Sequence, residues 1–202
     1  MNRKTKKFLP SLWLMTDERL GESLIPAIKR LPRHSGIIFR HYYLPLKDRK
    51  KLFFKIKKIA KKRNIILFLA DSPQRAAAWR ADGVHGSNSL KRTARPLLRS
   101  KAIHNQYDIA TAQKCDLVLL SPIFATRSHP GKAPLGRVKF LQLSRFIKPA
   151  IIALGGIKAK TLRALPAVSG FAGIDIWQNN ELQSCVIGRR WLYKNNRINR
   201  RF

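Results

Sequence analysis

The sequence predicts an α/β fold, a single closed (β/α)8 barrel of near-minimal length, and three observations carry that expectation. Apolar runs of strand length alternate eight times with amphipathic or Ala-rich stretches across most of the chain. The runs are nearly free of polar residues, as parallel strands buried on both faces are, and parallel strands need crossover connections. Several runs also end abruptly in hydroxyls, a histidine or a glycine pair, as barrel strands do when they deliver ligand-binding groups at their C-terminal ends. Two segments show this best: Ser121-Pro-Ile-Phe-Ala-Thr-Arg-Ser-His-Pro-Gly-Lys-Ala-Pro-Leu-Gly136 and Ala150-Ile-Ile-Ala-Leu-Gly-Gly-Ile157. An open doubly wound sheet is the alternative, but it normally uses five or six strands.

In chain order, the expected strands are 12–16, 36–42, 65–70, 83–85, 102–104, 116–120, 150–154 and 170–174. Between and after them, helices are expected over 24–31, 46–63, 74–80, 90–98, 107–113, 138–146, 158–165 and 181–191. The second helix carries the clearest period, with Leu52, Phe53, Ile56, Ile59 and Ala60 on one face. A chain of 202 residues with 45% hydrophobic content fills one core and leaves little for a second. One barrel is therefore expected over 11–192, between basic tails at 1–10 and 193–202.

The charge is unusual: 42 Lys plus Arg against 10 Asp plus Glu give +32. Such an excess raises the prospect of a polyanion partner. Its distribution argues for a solvated surface instead, because ten of the cations fall between Lys47 and Arg63 on the polar face of an amphipathic stretch, and more lie in the tails. No RNP-type aromatic motif, zinc-finger spacing or helix-turn-helix signature favours nucleic acid, so a nucleic-acid surface stays open but is not preferred. The longest apolar run, 65–70, is far below the roughly 18 residues of a membrane span, and no membrane partner is expected. The basic start lacks the uninterrupted apolar stretch of about 7–15 residues that a signal peptide needs, since Pro10 and Thr16-Asp17-Glu18-Arg19 break it. A cytoplasmic location follows as the expectation. Cys115 and Cys185 have no metal-ligand spacing and read as reduced thiols, at least one of them buried.

The chemistry is expected where strands end. Gly155 and Gly156 let the backbone approach an anion just before a helix whose first N–H groups point outward. The long 121–136 segment supplies Thr126, Ser128 and His129, with Arg127 and Lys132 adding charge. His85 and His104 end short strands and suit a hydrogen-bonded structural role at least as well as a functional one, and His34 and His41 flank the second strand.

Four motifs in order, Leu12-Trp-Leu-Met-Thr-Asp17, Ala81-Asp-Gly-Val-His85, Ser121-Pro-Ile-Phe-Ala-Thr126 and Ala153-Leu-Gly-Gly-Ile157, resemble the thiamine phosphate synthase family, including its thiazole-tautomerase-like relatives. The resemblance implies a TIM barrel and a transferase of thiamine biosynthesis. It would couple 4-amino-2-methyl-5-pyrimidinylmethyl diphosphate to 4-methyl-5-(2-phosphoethyl)thiazole with Mg²⁺, releasing pyrophosphate. It implies small phosphate and diphosphate substrates, and it leaves a homo-oligomer open. The implied chemistry is dissociative: diphosphate leaves, a pyrimidine-stabilised cation forms, and the thiazole nitrogen captures it, so charge stabilisation and positioning matter more than a side-chain nucleophile.

Carried over by residue, the resemblance keeps part of that site. Of a Gln, Arg and Lys set around the diphosphate, Arg40 remains, with Ile38 and Tyr42 at the other places. Asp71 is the implied Mg²⁺ ligand, while the second metal-linked aspartate matches Ser89 and a strand-five serine matches Ala102. A Thr-x-Thr-Lys segment becomes Thr126-Arg-Ser-His129, and the phosphate-binding pair after strand eight reads Trp177-Gln178, leaving Gln178 as a donor. Arg40 and His129 are the implied catalytic residues. Arg40, Thr126, Ser128, His129, Gly155, Gly156 and Gln178 are the implied substrate contacts, and the thiazole phosphate half is the better preserved. Two alternatives remain: a thiazole phosphate isomerase, whose usual histidine position is here Pro122, and a non-catalytic barrel that binds phosphate ligands or nucleic acid.

Overall fold

The structure, a computed structural model, describes residues 9–177 apart from 87, 129, 130, 132, 163 and 167. Eight parallel strands close into a barrel in sequence order: β1 (Leu12–Met15), β2 (Gly36–Phe39), β3 (Ile66–Leu69), β4 (Gly83–His85), β5 (Leu98–Ile103), β6 (Leu117–Leu120), β7 (Ala150–Leu154) and β8 (Gly170–Gly173). β8 pairs back onto β1 through Leu12↔Phe171 and Leu14↔Gly173, which removes both sheet edges. The connecting helices are α1 (Leu24–Arg30), α2 (Leu46–Lys62), α3 (Pro73–Ala78), α4 (Tyr107–Ala112), α5 (Gly136–Ser144) and α6 (Ala159–Leu162). Among the described residues, no helix is long and apolar enough to cross a membrane.

The interior is filled by pairing an aromatic ring with a glycine on the next strand. Trp13 sits opposite Gly36, where a Cβ would come within 2.2 Å of the indole. Phe68 sits opposite Gly83 with a corresponding 2.4 Å approach, and the Trp13 and Phe68 rings meet edge-on at 5.0 Å. Outside the barrel, α2 presents Arg49, Phe53, Ile56 and Ala60 inward, one residue per turn. Phe53 lies against Phe39 at 5.6 Å and Trp79 at 5.2 Å.

Three expectations need correction. No helix forms over 90–98; turns and extended chain connect β4 to β5. Pro96 removes a helical donor there, and Arg99 fastens the connection by donating to the Ser89 carbonyl and, at 3.1 Å, to Thr93 Oγ1. Strand five begins at Leu98 rather than 102, because 98–101 alternate inward and outward and pair with β4 through Gly83↔Leu98 and His85↔Ser100. Strand two stops at Phe39, well before 42, since His41 turns the chain with φ 47°. The expected helix over 181–191, residues 1–8 of the N-terminal tail, the whole C-terminal tail and Cys185 lie outside the described residues, whereas Cys115 is a free, buried thiol that burial pushes up in pKa.

Candidate active site

The C-terminal ends of the strands gather polar groups at one mouth of the barrel. After β1, Asp17 caps a short 3-10 segment by accepting from the Arg19 backbone N–H at 3.1 Å and from Arg19 Nε at 2.8 Å. After β2, Arg40 reaches the same carboxylate through Nη2 and donates Nε to the Thr16 carbonyl at 2.8 Å. Burial alone would raise the Asp17 pKa, but the Arg19 hydrogen bonds and the Arg40 charge outweigh it and hold the carboxyl below its ordinary value. Thr16 Oγ1 accepts the Arg40 N–H at 3.0 Å and is hydrogen-bonded to His41 Nδ1 at 2.9 Å. Burial pushes His41 down in pKa, which favours the neutral ring.

After β3, Asp71 is gripped twice. Arg49 Nη1 pairs with its Oδ2, Arg75 Nη1 lies 3.0 and 2.9 Å from its two oxygens, and the Ser72 N–H donates to Oδ1 at 2.6 Å. These contacts overcome burial and hold the Asp71 carboxyl below its usual range. Arg49 is itself buried and also donates to the carbonyls of Arg40 (2.8 Å) and Ala70 (2.9 Å), locking the β2 and β3 ends together. Asp71 is therefore not placed as the Mg²⁺ ligand the resemblance implied, because guanidinium groups and a backbone N–H already use both oxygens. Ser89, at the second metal-linked position, is 1% exposed, and its buried hydroxyl has no hydrogen-bond partner among the described residues, so a neutral, enclosed group stands where a carboxylate is implied. The residues present do not fit the ion. Among the described residues, no group of three or more His, Cys, Asp or Glu is arranged to hold a metal.

His85 and His104 face this region from β4 and β5. Ser100 Oγ donates to the Val84 carbonyl at 3.3 Å, so it accepts from His85 Nδ1 at 2.9 Å and leaves Nε2 without a proton. Burial, with the Arg40 and His104 charges, pushes His85 down to about 4. His104 Nδ1 lies 2.9 Å from the Ser121 carbonyl, which accepts its proton.

On the opposite side, the segment after β6 packs against the end of β7. The Ile123 N–H donates to Leu154 O at 3.0 Å and the Phe124 N–H to Gly155 O at 3.2 Å. Gly155 (φ 101°) and Gly156 (φ 62°) allow this approach, since a Cβ on Gly156 would lie 2.2 Å from the Ala125 carbonyl. The glycine pair is thus needed by packing, whatever else it does. The helix after it is only Ala159–Leu162, and the Lys158 N–H is already bonded to Thr161 Oγ1 at 2.9 Å.

Thr126 and Ser128 stand at the rim, with the Ser128 N–H donating to Thr126 Oγ1 at 3.3 Å. Arg19 Nη2 donates to Ser128 Oγ at 3.0 Å, and Arg127 pairs with Asp175 after β8 at 2.9 Å. Arg127 is consequently tied to the turn after β8. Trp177 is buried, stacks on Phe171 and donates to Trp13 O at 3.0 Å, so that position packs the core. His129, Lys132 and Gln178 lie outside the described residues.

The reading from residues missed Asp17, Arg19, Arg49 and Arg75. Arg49 left a visible signal: 49, 53, 56 and 60 share one face, which puts a cation on the apolar stripe of a helix.

Comparison with known proteins agrees with the barrel fold. The family model for thiamine monophosphate synthase matches residues 13–176. The chain is 28% identical to "Putative thiamine-phosphate synthase 2" of Aquifex aeolicus, over 84% of this chain and 98% of that protein. It is 31% identical to a thiamine-phosphate synthase of Prochlorococcus marinus over 77% of this chain, and it spans about half (47%) of that longer protein. Among solved structures, thiamine phosphate pyrophosphorylase from Pyrococcus furiosus superposes with a TM-score of 0.73 at 21% identity, covering 88% of this chain and 95% of that one, which shows the shared barrel. With the match running from the first strand to the turn after the eighth, the chain belongs to the thiamine monophosphate synthase family.

Proposed function

We propose that this protein makes thiamine phosphate: the C–O bond of an aminopyrimidine methyl diphosphate breaks, pyrophosphate departs, and a C–N bond forms to the ring nitrogen of a thiazole ethyl phosphate. The observation that carries this reading is a single polar chain across the mouth, running from Thr126 and Ser128 through Arg19 and Asp17 to Arg40. It connects the loop read as the thiazole phosphate side with the guanidinium read as the diphosphate clamp. Asp17 and the Thr16 carbonyl hold Arg40 in one orientation, so the cation needs little reorganisation when negative charge develops on the leaving group. Thr126 and Ser128, with Gly155 and Gly156, orient the acceptor phosphate. His129 and Gln178 stay in the proposed site on sequence grounds alone.

A coupling assay that supplies both substrates and follows thiamine phosphate by fluorescence after oxidation tests this. Product should form, and Arg40→Ala should lower kcat/KM by about 10- to 100-fold, the worth of one or two charge-assisted hydrogen bonds, while sparing thiazole phosphate binding. Equal loss of both would count against the division of the site. The isomerase reading is supported by His104, whose ring reaches Ser121 beside the position where the tautomerase-like members carry their histidine. Absence of product with thiazole phosphate still bound, and interconversion of thiazole tautomers that requires His104, would favour it.

A further inference from the structure

Two carboxylates at the mouth, Asp17 and Asp71, are each shared between two guanidiniums: Arg19 and Arg40 on the first, Arg49 and Arg75 on the second. Each Arg–Asp–Arg group carries a net charge of +1. On Asp71, two guanidiniums bring the same +2 that a divalent cation would bring to that carboxylate. They also use both of its oxygens, and the other position at which a metal-linked carboxylate is implied is Ser89, a buried neutral hydroxyl. The two groups are close: Arg49 donates to the Arg40 carbonyl, and the Tyr42 phenol feels the charges of Arg40, Arg49 and Asp71 together.

We propose that in this chain Arg75, backed by Arg49 through Asp71, takes the charge-neutralising place of the metal, so that the mouth binds a diphosphate group without Mg²⁺. The exposed guanidiniums make the contact: Arg75 is 40% and Arg40 21% accessible, whereas Arg49 at 6% positions Asp71 and does not reach solvent. A guanidinium carries five N–H donors in a planar fork that matches phosphate oxygens, so Arg75 holds Asp71 with one nitrogen and presents others outward. Asp71 becomes an anchor for arginine, not a metal ligand. This inference rests on the synthase reading for the identity of the ligand, and its test separates the two.

Isothermal titration calorimetry with pyrophosphate, in EDTA and in excess Mg²⁺, is the experiment. The full chain should bind pyrophosphate in EDTA with an affinity within about twofold of that in Mg²⁺. Arg75→Ala should weaken binding in EDTA about tenfold or more, and Arg75→Lys, which keeps the charge, should lose less. A drop of about tenfold or more for the unaltered protein on adding EDTA would overturn the inference and leave the synthase reading standing. Unchanged binding by Arg75→Ala would overturn it too. No binding under either condition would remove both the inference and the diphosphate half of the site.

Discussion

His85 illustrates how one buried side chain sets a pH window. Its ring is enclosed between β4 and β5, donates to Ser100 and is held neutral by burial, with its pKa brought from 6.5 to about 4. The unfolded chain binds this proton more readily than the folded one between those values, so stability is full above pH 6.5 and declines as pH falls towards 4. The loss over that window is on the order of 3 kcal/mol. Asp17 and Asp71, held below the ordinary 3.8, add a separate loss that begins only as pH falls through that value. Urea midpoints measured from pH 7 to pH 4 should fall for the unaltered protein and much less for His85→Gln; parallel curves would show that His85 does not titrate across this range.

At the scale of elements, α2 does two unlike jobs. Its inner face holds Arg49 among Phe39, Tyr42 and Trp79, with the guanidinium 5.8, 5.4 and 6.0 Å from the ring centres. Removing this charge while Asp71 and two carbonyls stay in place leaves buried acceptors unsatisfied. Arg49→Met should therefore cost about 3–5 kcal/mol in chemical denaturation, whereas Lys51→Ala on the outer face should be nearly neutral. β4 depends on the space under Phe68. Gly83→Ala would press a methyl to 2.4 Å from that ring and should destabilise by about 1–3 kcal/mol, which a matching shift of the denaturation midpoint would show.

For the whole molecule, +32 on 202 residues is mostly repulsion without local compensation. On α2 alone, Lys47, Lys51 and Lys55 follow one another four residues apart, as do Lys58 and Lys62, and the ion pair given by Asp48 is a long, exposed 3.9 Å contact with Lys51. Like charges at that spacing cost about 0.2–0.5 kcal/mol each and are screened by salt. The Tm should rise as NaCl is increased from low to several-hundred-millimolar levels; a Tm that is flat or falling would mean that the cations are neutralised within the fold.

Most of the barrel was written in the sequence, because buried parallel strands must be apolar on both faces and their crossovers must be amphipathic; β7 and β4 lie within the residues their patterns mark. The same local patterns located Thr126 and Ser128 after a strand end, whereas Arg40 and Asp71 were marked only by the family resemblance. Local patterns could not find where β5 begins, since its first residues include Arg99 and Lys101 and become a strand by pairing with β4. Nor could they say what Asp71 holds. That depends on Arg49 arriving from α2 and Arg75 from α3, and on Arg19 joining Ser128 across 109 residues of chain. Such partners are chosen by distance in the closed barrel, where burial penalises any charge left unpaired, and sequence spacing carries no record of that choice.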